Sequence, residues 1–338
     1  MRASEILRRG ILKVGTGGIL NRIKIQSRRN TLFFEEIGAN YVKECERSGF
    51  SRDMEIIGKN WMSLYFKYLL PNFLKNLPPR IFLNKIIRKI WISIGMMEWF
   101  EMKERNRLIE IKTRNEGLTR CIGRNNLMVG FYEGILESLF DCEFRCACAF
   151  QTKSKSRYLF KKTTNNPLRV EGKEKSLYYR LNNFETFHET GFTLKDALKI
   201  NLFELRNNRI YFRGKSISPI ENTLFHLIGN RGLLIEDVAR ISYGFFIDVI
   251  NGSSTHLDRI KLLKTILQVM GWGIIKIRAG EGRLIFDIKY PAYGLQSEND
   301  NWDFLAYTIL GYLWHTNERF TLAEQKKSYK RLKIVYSF

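Results

Sequence analysis

An internal repeat constrains the fold of this chain more than any other feature of its sequence, because overlooking a repeat misassigns the whole architecture. Two apolar series align without a gap, and each residue of the second lies 176 positions after its counterpart, as Gly271 does after Gly95. Steps of three and four residues that end at a glycine predict an amphipathic helix with a C-terminal glycine cap. The paired residues are Ile86, Ile87, Ile90, Ile94 and Gly95 in the first series and Leu262, Leu263, Ile266, Met270 and Gly271 in the second.

The same offset continues past this helix. The tripeptide Arg-Leu-Ile follows twelve residues after each glycine, and it lies beside or within the strand-like runs 108–112 and 284–289. A second apolar helix is predicted in each copy, near 127–140 and near 302–314. The shared order of helix, strand, strand, helix, strand, strand predicts a duplicated unit.

We predict an α/β fold of the α+β kind, in which two tandem modules each pack helices on a small antiparallel sheet and are related by a pseudo-twofold axis. The first module covers 31–162 and the second covers 202–338. Between them, 163–201 is polar, contains an Asn-Asn-Pro sequence and is interpreted as a linker. Residues 1–30 carry eight basic residues against a single acid, which fits a basic arm or an organelle transit peptide.

The chain is strongly basic, since 56 lysines and arginines against 34 acids give a net charge of +22. A charge of this size favours association with polyanions, although a run of charges is usually only a solvated face. The last strand pair of each predicted module is basic, and the pseudo-twofold axis would bring the two pairs onto one surface or set them at opposite ends. We assign polyanion binding to Lys153, Lys155, Arg157, Lys326, Lys327, Lys330 and Arg331.

Five cysteines, an odd number in a chain without a secretory-type leader, argue against a disulfide scaffold and favour a reducing cytoplasm. Cys146 and Cys148 alternate along a predicted strand, so we expect both to be reduced, buried in one core and free of metal. A zinc or iron–sulfur site formed with Cys121 and Cys142 is the alternative, with a spacing unusual for either. The longest run without a charged residue, 304–317, has 14 residues and is too short to cross a bilayer.

The segment 121–162 carries the most specific pattern in the chain. It contains a helix of the form Gly-Phe-x-x-Gly-x-Leu-Glu, then a Glu-x-x-Cys strand, a turn and a last strand with a Leu-Phe pair. These positions are Gly130, Phe131, Gly134, Leu136 and Glu137 on the helix, Glu143 and Cys146 on the first strand, and Leu159 and Phe160 on the last. The pattern resembles the end of the 4-vinyl reductase domain.

In this family the last strand usually begins with a second cysteine, whereas this chain has Tyr158 near that position. The second module is less similar, because it keeps Gly311 and Phe320 but no cysteine. Proteins that contain this domain are α/β ligand-binding modules related to core subunits of the Golgi vesicle-tethering complex and to haem nitric-oxide sensors. They bind small hydrophobic or tetrapyrrole-like compounds.

The resemblance implies an apolar ligand pocket, although large aromatic side chains at helical spacing also fill ordinary cores. We assign to the pocket Trp91, Trp99, Cys121, Phe131, Tyr132, Cys146 and Cys148 in the first module and Trp272, Tyr307 and Trp314 in the second.

The resulting hypothesis is a non-catalytic ligand-binding, sensor or regulatory protein that binds a small hydrophobic compound. The alternatives are a basic protein that binds nucleic acid or ribonucleoprotein, and an assembly or tethering subunit. The sequence nominates no catalytic residue, no metal site and no cofactor, because it lacks the known nucleophile and metal-ligand motifs. We expect a pseudo-dimeric monomer or a homodimer.

Overall fold

The computed structural model of the protein describes residues 13–14, 28–29, 31–70, 77–106, 108–167, 169–182, 194–250, 256–296 and 300–338. In the N-terminal arm, strands β1 (Lys13–Val14) and β2 (Arg28–Arg29) pair antiparallel. The rest of the arm lies outside the described residues, and so does Arg107 of the first Arg-Leu-Ile tripeptide.

In the first half of the chain, most described residues that precede the first strand of its four-stranded sheet are helical. Strand β3 (Thr31–Phe34) leads directly into α1 (Glu35–Arg47), and α2 (Ser51–Leu64) continues into a π-helical turn at Tyr65–Leu69. The next helical segment consists of α3 (Pro79–Ile81), a second π-helical turn at Phe82–Ile87 and α4 (Arg88–Ser93). Proline is favoured at the first position of a helix, as in α3, because its ring sets the helical φ and no amide hydrogen is needed there.

Two hairpins flank the longest helix of this half. Strands β4 (Trp99–Arg105) and β5 (Leu108–Arg114) precede the short α5 (Thr119–Ile122) and the long α6 (Asn126–Phe140), and β6 (Phe144–Gln151) and β7 (Lys155–Lys162) follow. The Asn125 side chain begins α6, because it accepts a hydrogen bond from the Met128 amide at 3.0 Å.

The second half also contains helices and antiparallel strand pairs. It contains α7 (Lys175–Leu181), α8 (Leu194–Lys199), β8 (Glu204–Arg206), β9 (Arg209–Phe212), β10 (Lys215–Ile220), α9 (Thr223–Arg231), α10 (Asp237–Ile250), α11 (His256–Val269), β11 (Ile274–Gly280), β12 (Arg283–Lys289), α12 (Asp303–Leu313), β13 (Thr321–Ser328) and β14 (Arg331–Ser337). Helices α7 and α8 lie in the segment interpreted as a linker, and Tyr178 of α7 is fully buried.

The fold is α+β, as predicted, with three antiparallel four-stranded sheets in the described part of the chain. The first sheet has the order β4-β5-β7-β6 and the second has the order β11-β12-β14-β13. The third, with the order β3-β10-β9-β8, joins the two halves, because β3 pairs with β10 through Phe34 opposite Ile217 and Thr31 opposite Ile220. We call it the shared sheet. No described helix is both long enough and apolar enough to span a membrane.

Local features recur at the predicted offset. Gly95 (φ 73°) and Gly271 (φ 83°) each follow a helix in the left-handed conformation and precede the first strand of a sheet. The amide after each glycine donates to the carbonyl five residues before it, from Met96 to Trp91 at 2.9 Å and likewise from Trp272 at 3.0 Å. This geometry is the glycine C-cap that the sequence predicts.

A β-bulge recurs in the same way. It lies between Cys146 and Cys148 on β6 and between Leu322 and Glu324 on β13, again 176 residues apart. These are local matches, and the pseudo-twofold duplication of whole modules stays a prediction.

Glycines let helices α2 and α6 touch backbone to backbone. A Cβ atom would lie 1.8 Å from the Glu55 carbonyl oxygen at Gly130, 2.2 Å from that of Lys59 at Gly134, and 2.1 Å from that of Leu127 at Gly58. No side chain fits at these distances. In the second half, Gly311 of α12 approaches α10 in the same manner, since a Cβ there would lie 2.1 Å from the Ala239 carbonyl oxygen.

We predict that Gly134→Ala lowers the free energy of unfolding by about 3 kcal/mol, because the added methyl group forces α2 and α6 apart. The matched control is Gly244→Ala on α10, where a Cβ meets no atom within 4 Å. The control should leave stability unchanged or raise it by about 0.5 kcal/mol, because alanine restricts the unfolded chain. Chemical denaturation measures both changes, and equal stabilities of the two variants would refute the close contact.

Candidate functional site

An apolar cavity lies between the helices of the first half and the shared sheet. The centre of a water-sized sphere can occupy about 80 Å³ of it. Its walls come from α2, the two π-helical turns, α4, the loops at Met96 and 117–118, α6, the end of β10 and α9. The lining residues are Trp61, Met62, Tyr65, Phe66, Ile87, Ile90, Trp91, Ile94, Met96, Gly117, Leu118, Met128, Phe131, Ser218, Pro219, Ile220, Glu221 and Leu224.

Both π-helical turns border this cavity. Tyr65 and Phe66 belong to the first turn, and Ile87 ends the second. A π-helical turn is rare and is found frequently at functional sites. Tyr65, Ile90, Ile94 and Met96 are half-buried, whereas the other lining residues are buried.

The two most polar side chains in the lining are already bonded to the protein. Glu221 accepts hydrogen bonds from the Trp61 indole at 3.2 Å, from the Tyr178 hydroxyl at 3.0 Å and from both the amide and the hydroxyl of Thr223. The Ser218 hydroxyl donates to a carboxylate of α1. A guest molecule in this cavity therefore meets mainly apolar surface.

Of the ten residues predicted to form a pocket, Trp91 and Phe131 line the cavity, with ring centroids 5.5 Å apart. Tyr132 is fully buried and donates its hydroxyl to Glu116. Trp99 lies on the other face of the first sheet, where the Arg114 guanidinium is 5.6 Å from its ring.

The other predicted pocket residues lie apart from the cavity. Cys121 is half-buried, and burial raises the pKa of its thiol. Trp272 packs against Phe225 in the core of the second half, at 5.2 Å between rings. Tyr307 is half-buried on α12, and Trp314 donates its indole N–H to a backbone carbonyl oxygen at 2.9 Å.

The prediction that Cys146 and Cys148 are both buried on one face is wrong for Cys148. Cys146 is half-buried opposite Phe160, whereas Cys148 is exposed opposite Leu159. The bulge at Ala147 adds one residue to the strand and thereby reverses the alternation of faces. Burial beside Glu133 raises the pKa of the Cys146 thiol to about 11. No cluster in the described residues could hold a metal ion.

The sequence analysis did not assign to the pocket the lining residues that α2 and β10 contribute to the cavity. The apolar periodicity of 51–64 indicates the contribution of α2. Nothing local in the sequence places Ile220 or Leu224 beside Trp61, because these residues are brought together only by the shared sheet.

The residues of the family-like pattern have structural roles. Gly130 and Gly134 permit the contact with α2. Glu137 pairs with the Lys59 amine at 2.7 Å and accepts the Phe144 amide at 3.1 Å. Glu133 accepts the Cys146 amide at 2.8 Å, so two carboxylates of α6 bind the edge of β6.

A buried carboxylate with four hydroxyl partners lies against the first sheet. Glu116 is buried and accepts hydrogen bonds from the hydroxyls of Thr113, Thr119, Tyr132 and Tyr158. Burial raises the pKa of Glu116, and the four hydroxyl donors oppose that rise. This cluster is a closed internal network, because its carboxylate faces protein donors and none of these five residues lines the cavity.

The residues assigned to polyanion binding lie on two different sheets. Lys153 is in the turn between β6 and β7, and Lys155 and Arg157 follow on β7. In the second sheet, Lys326 pairs with Glu324 and Arg331 pairs with Asp287. In the same hairpin, the Lys327 amine lies 3.3 Å from the Asp300 carbonyl oxygen and the Lys330 amine lies 5.5 Å from the Tyr290 ring.

No protein-family model, curated protein or solved structure matches this chain.

We predict that Glu133→Gln flattens the dependence of stability on pH. Burial raises the pKa of Glu133 to about 7, above the value of an unfolded glutamate. A raised folded-state pKa gives stability that is complete at low pH and is lost as the pH rises towards about 7. From pH 5 to pH 8, the wild type should lose up to about 3 kcal/mol relative to Glu133→Gln.

Urea denaturation at the two pH values measures this difference. Glu143→Gln is the control, because hydrogen bonding to Asn165 lowers the pKa of Glu143. This carboxyl is therefore ionised in both the folded and the unfolded chain from pH 5 to pH 8, and its removal should leave the pH dependence in that range unchanged. The same pH dependence in wild type and Glu133→Gln would contradict the assignment.

Proposed function

We propose that the protein is a non-catalytic ligand-binding or sensor protein that holds a small hydrophobic compound in the cavity between α2, α4, α6 and the shared sheet. The observation that carries this proposal is the cavity lining, in which aromatic, isoleucine and methionine side chains surround carboxylate and hydroxyl groups that already have protein partners. Apolar pockets with few polar groups are typical of ligand sites.

The size of the cavity favours a narrow guest. The space open to the centre of a water-sized sphere is about 80 Å³, which is more than a single water needs. A single aliphatic chain or one ring fits this space better than a macrocycle does. Methionine side chains, such as Met62 and Met128, adapt to guests of differing shape because they are unbranched and polarizable.

The position of the cavity suits a sensor. A guest would touch the helices of the first half, and also Ile220, which ends β10, the partner strand of β3, and Leu224 of α9. A ligand that binds only when these walls are together stabilises that arrangement by mass action. The resemblance to the 4-vinyl reductase domain supports the same proposal, since that domain binds small hydrophobic compounds.

We include a cytoplasmic location in the proposal. All five cysteines are free thiols, as expected in a reducing compartment.

We predict that Ile90→Trp abolishes ligand binding, because Ile90 lines the cavity and the larger tryptophan side chain occupies its space. Native mass spectrometry of the purified protein should show a bound compound on the wild type and none on this variant. Where no compound copurifies, the fluorescent fatty acid cis-parinaric acid serves as the probe.

The matched control is Ile92→Trp. Ile92 is also a half-buried isoleucine of α4, but it does not line the cavity. This variant should bind like the wild type. Equal binding by Ile90→Trp, or no binding of any compound by the wild type, would refute the proposal.

A further inference from the structure

The outer face of the first sheet is strongly basic. Phe100, Ile111, Tyr158 and Phe160 are buried on the inner face, and the strand register places the alternate residues on the opposite face. Two acids, Glu101 and Glu110, lie on that outer face. The cations on it are Lys103, Arg105, Lys112, Arg114, Arg145, Lys155, Arg157 and Lys161.

Ion pairs neutralise only part of this charge. Glu110 binds Arg157 at 2.6 Å and Lys112 at 3.3 Å, and Glu101 binds Lys103 at 3.1 Å. The remaining outer-face cations of β4, β5 and β7 form no ion pair with any described residue. They are Arg105, Arg114, Lys155 and Lys161. Because the face is solvated, this surplus remains available to a negatively charged partner.

Aromatic side chains stand at both edges of the same face. Phe150 on the edge strand β6 is 61% exposed and lies directly opposite Arg157. Trp99 on the other edge strand, β4, lies opposite Arg114, which in turn lies opposite Lys155. The edges are about 14 Å apart at the usual strand spacing. The arrangement therefore consists of aromatic rings at two edges with cations between them.

We propose that this face binds single-stranded nucleic acid. Its cations would contact the phosphates, and bases would stack on Phe150 and Trp99. Single strands expose base faces that stack on aromatic side chains, whereas a duplex keeps its bases stacked inside. Stacking uses the face of any base, so binding should depend little on sequence.

The second sheet provides an internal comparison. Its outer face is also basic, through Lys276, Arg278, Arg283, Lys289, Lys326, Arg331 and Lys333. However, no outer-face strand residue of this sheet is aromatic. On its two central strands, β12 and β14, the outer face carries the apolar residues Ile285 and Val335 opposite each other. If charge alone drives binding, the outer faces of both sheets should bind nucleic acid equally. If stacking contributes, the outer face of the first sheet should bind more tightly.

The test measures the affinity of the full chain for a fluorescent oligouridylate of about 12 nucleotides, a length within the range of known single-strand sites. Phe150→Ala should weaken binding roughly 5- to 150-fold, as expected for the loss of one stacked base. The matched control is Tyr329→Ala, because Tyr329 is 64% exposed but lies in the turn between β13 and β14. The control should bind like the wild type.

Charge reversal tests the cations. Engagement of the four unpaired cations should give a slope of log affinity against log salt of about −3 for a single strand. Arg114→Glu with Lys155→Glu should flatten that slope, whereas Arg283→Glu with Lys289→Glu on the second sheet should not. Thermal melting confirms that each variant is folded.

Three results would overturn the proposal. If Phe150→Ala binds the oligouridylate as tightly as the wild type, or a DNA duplex binds equally well, the face attracts polyanions by charge alone. If vesicles containing phosphatidylserine bind in a Phe150-dependent manner and the oligouridylate does not, the face is a lipid-binding surface. None of these results bears on the cavity, which lies between the helices of the first half and the shared sheet and is tested by Ile90→Trp.

Discussion

The backbone contact between α2 and α6 is the constraint on which the first half of the protein depends. Because Gly58, Gly130 and Gly134 lack side chains, the two helices approach more closely than side-chain packing allows. That approach places Trp61 of α2 against Phe131 of α6, at 5.4 Å between rings, and so forms one wall of the cavity. The cavity is therefore defined by the residues that are small as well as by those that are large.

A buried ion pair connects this helical unit to the shared sheet. Arg120 donates to Glu35 at the start of α1, with one contact at 2.7 Å, and also to the carbonyl oxygens of Gly95 and Asn115 at 3.0 Å. Glu35 in turn accepts the hydroxyl of Ser218 on β10. Breaking such a pair leaves an uncompensated buried charge, which is strongly destabilising. The pair thus fixes the relative positions of three elements, which are α1, strand β10 and the glycine cap at Gly95 that precedes β4.

The sequence predicts the features that depend on local periodicity. The apolar steps before Gly95 and Gly271 predict helices that end at left-handed glycines, and the structure confirms both ends. The alternation in β6 fails as a guide at Cys148, because a bulge depends on pairing with a neighbouring strand and leaves no mark in the sequence. Likewise, the wall of the cavity at Ile220 is determined by a contact across the whole chain. Of the residues that line the cavity, the sequence analysis assigned only Trp91 and Phe131 to a pocket.

The pairing of β3 with β10 has a consequence for how the chain is made. The hydrogen bond from the Thr31 hydroxyl to the Ile220 carbonyl oxygen joins residues 189 positions apart. At typical rates of synthesis, roughly 10 to 40 s separate the emergence of these two residues from the ribosome. During that interval Leu32, Phe33 and Phe34 have no partner strand, and an unpaired apolar edge invites aggregation. The nascent first half therefore carries an unpaired apolar strand until the shared sheet closes.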